Sequence, residues 1–180
     1  MAKEELSISI RALEPGDRLT GLSLGAEFEP LKRFLRRNAA SFHQQKLART
    51  YGVFRTEDQR VIAYVTLVCG EIETAPQIGD RLGDDIDFRY GHCPAVKIAR
   101  LAVDRRYSGR GLGRMLVDFS LGIAVDEIST RVGCRFVVVD AKRQAIPFYA
   151  DKCGFTLLDT PENRARDCSI MFVDLHKATA

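Results

Sequence analysis

Three glycines at alternate positions, Gly109, Gly111 and Gly113, share one short run of chain with Arg106, Arg110 and Arg114. Glycine lets backbone N–H groups come close to a ligand, and arginine adds a rigid fork of cationic donors. If a helix starts at the end of the run, the positive end of its dipole points at the same spot. Such a place suits a pyrophosphate. Two familiar phosphate loops are excluded. The run has no Gly-Lys-Ser/Thr of a nucleoside triphosphatase, and its glycines follow a late strand instead of opening a Rossmann unit. Taken alone, the triplet also reads as a plain turn.

The flanking residues supply the strand and the helix. Ala95 to Val103 reads as a central strand that runs straight into the loop. Beyond it, Leu112, Met115, Leu116, Phe119 and Ile123 recur at helical spacing. Upstream, Leu6 to Leu13 alternates apolar and polar residues like a half-buried strand, and Pro15-Gly16 breaks it. Leu31, Phe34, Leu35 and Phe42 mark a helix whose other face carries Lys32, Arg33, Arg36 and Arg37. Thr50 to Arg55 and Val61 to Cys69 form an expected hairpin across Glu57-Asp58-Gln59. Glu73 to His92, without periodicity, reads as a loop with room for a short helix. Phe136 to Val139 is expected to be a strand, Ala145 to Lys152 a helix ending near Gly154, and Ser169 to Val173 a last strand. Pro147 is compatible with that helix only in its first turn.

The whole of residues 1–180 therefore reads as a single α/β domain, with 46% hydrophobic residues to fill one core. A net charge of +3 demands no polyanionic partner, so the local clustering of cations matters more than the sum. The amino terminus has no apolar signal stretch, and no apolar run is long enough to cross a bilayer, which points to a cytoplasmic protein. Five separate cysteines, Cys69, Cys93, Cys134, Cys153 and Cys168, offer no zinc spacing and read as reduced thiols. His43, His92 and His176 show no ligand or triad spacing, and no metal is expected.

The run Ile98-Ala-Arg-Leu-Ala-Val-Asp-Arg-Arg-Tyr-Ser-Gly-Arg-Gly-Leu-Gly113 resembles the Arg/Gln-x-x-Gly-x-Gly/Ala motif of the GNAT N-acetyltransferases with its preceding strand. Phe148-Tyr149, followed by Gly154-Phe155, resembles that family's second signature. The resemblance covers roughly residues 50 to 175. It implies a mixed, mostly antiparallel central sheet flanked by helices, with acetyl-coenzyme A as cosubstrate. It also implies that Leu101, Ala102 and Val103 hold the pantetheine and the thioester carbonyl through backbone N–H groups, Val103 first among them. Arg106, Gly109, Arg110, Gly111, Gly113 and Arg114 would hold the phosphates. Tyr149 would protonate or hydrogen-bond the departing thiolate, although a packed core tyrosine is the alternative reading. The strand offers no carboxylate as an obvious base, and Glu71 and Glu73 read more simply as solvated surface residues. A base-poor site favours an α-amine, with a pKa of about 7.7–8.0, over a lysine amine at about 10.4.

Phe28 to Ala39, Arg49-Thr-Tyr51 and Arg100 to Tyr107 narrow the resemblance to the GNAT toxins of bacterial toxin–antitoxin operons. Ala26-Glu27 departs from the Cys-Gly or Ser-Gly pair usual there. That branch acetylates the α-amine of aminoacyl-tRNA and blocks translation. The resemblance therefore implies a tRNA partner, a cognate antitoxin and a homodimer. Lys32, Arg33, Arg36, Arg37, Lys46 and Arg49 are the candidate RNA-binding residues, since a cationic helix face can neutralise phosphates without reading sequence. An ordinary solvated face fits them equally well. The alternative function is a free-standing GNAT enzyme that acetylates a small amine or a protein N-terminus, and a non-enzymatic coenzyme A-binding or nucleic-acid-binding module is a third.

Overall fold

The protein is described by a computed structural model that covers residues 6–83 and 86–178. Positions 84 and 85 of the expected Glu73–His92 loop lie outside the described residues. Among the described residues seven strands, β1 (Ile8–Ala12), β2 (Arg49–Arg55), β3 (Val61–Glu73), β4 (His92–Val103), β5 (Phe136–Lys142), β6 (Thr156–Leu157) and β7 (Cys168–Asp174), are hydrogen-bonded in the order β1-β2-β3-β4-β5-β7-β6. The chain gathers into two compact units. Of the described residues, one unit holds those up to Val68 with Arg100–Leu116, and the other those from Cys69 to Ala99 with those from Val117 onward.

In the first unit, β1 (Ile8–Ala12) pairs antiparallel with β2 (Arg49–Arg55). β2 pairs antiparallel with the opening of β3 (Val61–Glu73), so the expected hairpin is present and β3 runs longer than expected. The helix expected from Leu31 is two helices, α1 (Glu29–Arg37) and α2 (Ala39–Gln44). Pro30 fits the first turn of α1, where its missing N–H costs no bond. Asn38 interrupts the pair at φ −118° yet still donates its N–H to Phe34 O, so the apolar stripe carries on through Ala39 and Phe42. Phe34 and Leu35 are buried with Leu13, Leu22, Phe54, Val61, Tyr64 and Ala102, and Leu31 and Phe42 pack against them. Tyr64 donates its hydroxyl to Leu31 O at 2.7 Å, and the Arg100 guanidinium lies 3.8 Å over the Phe34 ring. These contacts fix the inner face of α1, and its cations project outward.

In the second unit, the part of β4 (His92–Val103) up to Ala99 pairs in parallel with β5 (Phe136–Lys142), from Ala95↔Phe136 to Ile98↔Val139. β7 (Cys168–Asp174) runs antiparallel to β5, and the short β6 (Thr156–Leu157) antiparallel to β7. The core here is Ile72, Ile78, Ala95, Phe136, Val138, Leu158 and Phe172. The short helix allowed for in the loop after β3 is α3 (Pro76–Leu82). Pro147 stands in the first turn of its helix, which widens over Phe148–Lys152 and stops at Gly154, whose φ is +72°. β6 and the one-turn helix α5 (Pro161–Arg164) are too short to show a period, and sequence reading missed both. Among the described residues no helix is long and apolar enough to cross a membrane.

The hinge between β4 and the glycine loop is Asp104. Its carboxylate has no exposed surface. It accepts the N–H groups of Ser23 and Arg106, each at 2.9 Å, and the Arg106 guanidinium at 2.9 and 2.6 Å. Burial pushes the Asp104 carboxyl upward, but the Arg106 guanidinium and the two backbone donors outweigh it and leave the group below the usual carboxylate range. The linkage has one sign. A depressed carboxyl stabilises the fold above its unfolded pKa of about 3.9, and the contribution is lost as the pH falls through the lower folded value. Asp104→Asn should lower stability at pH 7 by about 2–3 kcal/mol, the smaller end of a broken buried pair because Arg106 remains half-exposed. Urea unfolding of both proteins at neutral and acid pH checks this, and the gap between them should begin to narrow near pH 4 and close only below the depressed folded value.

Candidate active site

The glycine loop is wound by successive tight turns. Tyr107 N–H donates to Asp104 O, Ser108 N–H to Arg105 O and Arg110 N–H to Tyr107 O. Gly109 and Gly111 take φ of +75° and +82°, a region that costs an L-residue about 1–2 kcal/mol. A Cβ built at either glycine meets no heavy atom within 4 Å, so the loop's surface is open there. Gly111 O then accepts the N–H of Met115, the first bond of α4 (Leu112–Gly122), which continues in a wider turn through Ile128. The first-turn N–H groups of a helix have no carbonyl within it, so this terminus offers donors to an anion. Gly113 lies inside that first turn, beside Arg114, which is exposed. Open glycines ahead of an eleven-residue helix fit the pyrophosphate that the sequence pointed to.

Leu101, Ala102 and Val103 form the last residues of β4. Among the described residues the register of β4 with β5 stops at Ile98, so the end of β4 has backbone groups on that edge to offer elsewhere. The side chain of Ala102 is buried in the first core, which anchors this end of the strand.

The cations of the loop divide their tasks. Arg106 spends Nε and Nη2 on Asp104, and Nη2 also donates to Gly21 O at 2.8 Å. Its first task is to strap the 21–23 segment to the loop. Arg110 is exposed, with its guanidinium 5.7 Å from the Tyr107 ring. Tyr107 in turn accepts a hydrogen bond from Arg55 Nη1 at 3.0 Å.

That strap shapes a cavity of about 380 Å³ lined by Leu24, Gly25, Ala26, Glu27, Phe28, Val103, Arg105 and Ser108. Sequence reading missed it, because residues 24–28 and 103–108 are joined only by tertiary bonds. Arg105 N–H donates to Ser23 O at 2.8 Å, and Ser23 N–H donates to Asp104.

In the second unit Tyr149 is 7% exposed and meets Phe148 and Phe155 edge-on at centroid distances of 5.0 and 5.4 Å. Burial raises its phenol well above the usual range, with Cys153 adding to the shift. It therefore keeps its proton at every physiological pH. Glu71 and Glu73 are exposed, and Glu71 lies 3.9 Å from His92 Nε2.

The candidate RNA-binding residues fall on one stretch of the first unit. Arg33, Arg36, Arg37, Lys46 and Arg49 are exposed and Lys32 is half-buried. None of the ion pairs among the described residues involves these six cations. Lys46 takes φ of +60° in the turn that leads from α2 into β2.

Residues 23–155 match the model of the acetyltransferase (GNAT) family. A tRNA-acetylating toxin of Mycobacterium tuberculosis (strain ATCC 25618 / H37Rv) is 31% identical over 144 residues, 77% of this chain and 79% of the relative. The structure of AtaT complexed with acetyl-methionyl-tRNAfMet superposes with a TM-score of 0.81 at 25% identity, over 96% of this chain and 98% of that one. The structure of AtaTR bound with AcCoA gives a TM-score of 0.77 at 26% identity, over 96% of both chains.

The open glycines give a direct test. Gly111→Ala should destabilise the fold by about 1 kcal/mol and weaken acetyl-coenzyme A binding by about tenfold or more, because a methyl then stands where the loop is bare. Gly133→Ala, at a glycine with open space and no positive φ, should change neither. Thermal melts and isothermal titration with acetyl-coenzyme A read both quantities.

Proposed function

The chain belongs to the acetyltransferase (GNAT) family, and we propose that it transfers the acetyl group of acetyl-coenzyme A to the α-amine of an aminoacyl-tRNA, acting as a toxin that blocks translation. The acceptor of the Mycobacterium tuberculosis relative carries this reading beyond the family. The unpaired cations of α1 and the α2–β2 turn support it, since a surface without carboxylate partners has its full charge to place against phosphates. In this reading, Arg110, Arg114 and the amides around Gly109, Gly111 and Gly113 hold the pyrophosphate, with Arg106 bracing the loop. The N–H groups of Leu101 to Val103 hold the pantetheine arm and polarise the thioester carbonyl. Tyr149 keeps its proton and donates a hydrogen bond to the sulfur as the thiolate departs.

The amine must attack as a free base. An α-amine, with a pKa of about 7.7–8.0, supplies that form at neutral pH far more readily than a lysine at about 10.4. A homodimer and a small cognate antitoxin complete the proposal, on the toxin resemblance of residues 28–39 and 100–107.

With radiolabelled acetyl-coenzyme A and a pool of charged tRNA, label should appear on charged and not on uncharged tRNA. Tyr149→Phe should lower kcat by about 100-fold, the loss typical of one transition-state hydrogen bond. Label on free amines or peptides with none on charged tRNA would leave the family standing and remove the tRNA acceptor.

The Arg36→Glu/Arg37→Glu double variant should weaken tRNA binding for every aminoacyl group alike. The slope of log affinity against log salt should flatten by roughly one unit for each phosphate that the variant no longer neutralises. Filter binding across a salt series measures it.

A further inference from the structure

The cavity at the end of β4 contains an ionisable group for which the proposed transfer has so far given no task. Glu27 and Val103 both line it. Val103 is the residue proposed to hold the thioester carbonyl, and Glu27, an exposed residue, lines the same cavity. Glu27 is in the short turn Ala26–Phe28 that leads into α1, and its carboxylate lies over Gly25. A Cβ placed on Gly25 would come within 2.5 and 2.6 Å of its two carboxylate oxygens. Gly25 has an ordinary extended backbone with φ of −62°, so it is the space above it, not its conformation, that glycine provides. Arg105 is the other charged residue of the lining, and the rest is apolar, backbone or the Ser108 hydroxyl.

We propose that the Glu27 carboxylate is the base of the transfer and takes the proton of the acceptor α-amine within this cavity, an inference that rests on the function proposed above. As the nitrogen attacks, the N–C bond forms and the nitrogen becomes positively charged and strongly acidic. Glu27 accepts that proton directly or through one water. The C–S bond then breaks, the sulfur leaves as a thiolate within the hydrogen bond of Tyr149, and both Glu27 and the thiolate exchange protons with solvent. The net products are an N-acetyl amine, the free thiol and one proton when the amine enters as its ammonium. Arg105 places a cation in the same lining. The cavity therefore suits an acceptor that carries an amine close to an anionic group, as an amino acid esterified to a terminal nucleotide does.

The test compares wild type with Glu27→Gln, Glu27→Asp and Glu27→Ala in steady-state acetylation of aminoacyl-tRNA, with acetyl-coenzyme A affinity measured separately by titration calorimetry. Glu27→Gln should lose about 100-fold in kcat, within the usual range for a general base, with acetyl-coenzyme A affinity unchanged. Glu27→Asp should keep part of the rate, and added formate should restore Glu27→Ala but leave wild type unaffected. A Glu27→Gln rate within about threefold of wild type overturns the proposal, as does a loss in all three variants that formate does not relieve. If wild type leaves charged tRNA unlabelled, the tRNA reading fails by itself. The same four proteins are then compared on the α-amine of a short peptide, where an unchanged Glu27→Gln rate overturns the role of Glu27.

Discussion

A carboxylate with no exposed surface has to be satisfied by donors or it unfolds what surrounds it, and Asp104 is satisfied from two parts of the chain at once. Its short hydrogen bonds come from Ser23 and from the backbone and guanidinium of Arg106. Its own N–H donates to Ile62 O at 2.8 Å, so the chain is still held to β3 one residue past the end of β4. This set of bonds ends the strand at Val103, turns the chain into the glycine loop and draws the 21–23 segment alongside. Residues 24–28 follow from that segment directly. The cavity wall with Glu27 is therefore a consequence of the same buried charge that aims the loop.

Local features of the site were legible in the sequence, and the non-local ones were not. The strand, glycines and helix from Ala95 to Ile123 follow one another without a break, and each has its own period or punctuation. The apolar stripe of Leu31, Phe34, Leu35 and Phe42 was readable too, but the break at Asn38 was not. A residue that leaves the helix for a single position does not disturb the spacing of its neighbours. The position of Arg106 within the motif points to a ligand donor. Its bonds to Asp104 and to Gly21, 85 residues distant in sequence, are tertiary and leave no local trace. Glu27 was visible only as a departure from the toxin pattern. The cavity that gives it a task exists only once Ser23 meets Arg105 and Asp104.

The cationic helix carries a cost that points in the same direction as its exposure. Lys32 and Arg36, Arg33 and Arg36, and Arg33 and Arg37 are three or four residues apart, so each pair shares a face. Like charges at such spacings destabilise an isolated helix by about 0.2–0.5 kcal/mol per pair. The inner contacts offset this. Burial of Phe34 and Leu35 contributes about 1.5–3 kcal/mol each, and the Tyr64 hydroxyl and Arg100 guanidinium add directional anchors. A helix pinned so firmly on one side can hold repelling charges on the other, and a polyanion bound there would relieve the repulsion.

The environment of Tyr149 limits what it can do for the leaving group. Burial lifts its phenol above its ordinary pKa of about 10, whereas an alkyl thiol has a pKa of about 8.5. Complete transfer of the proton from this phenol to the thiolate is therefore uphill by at least about 2 kcal/mol. A hydrogen bond that is donated but not given away carries no such penalty, and it strengthens as charge builds on the sulfur. In the proposed reaction the phenol is a fixed donor that stays neutral through the cycle, and the thiolate collects its proton from water after release. The proton that must be moved during the reaction is the one on the attacking nitrogen, which is the demand the proposed base meets, and Glu27 shares a cavity with Val103.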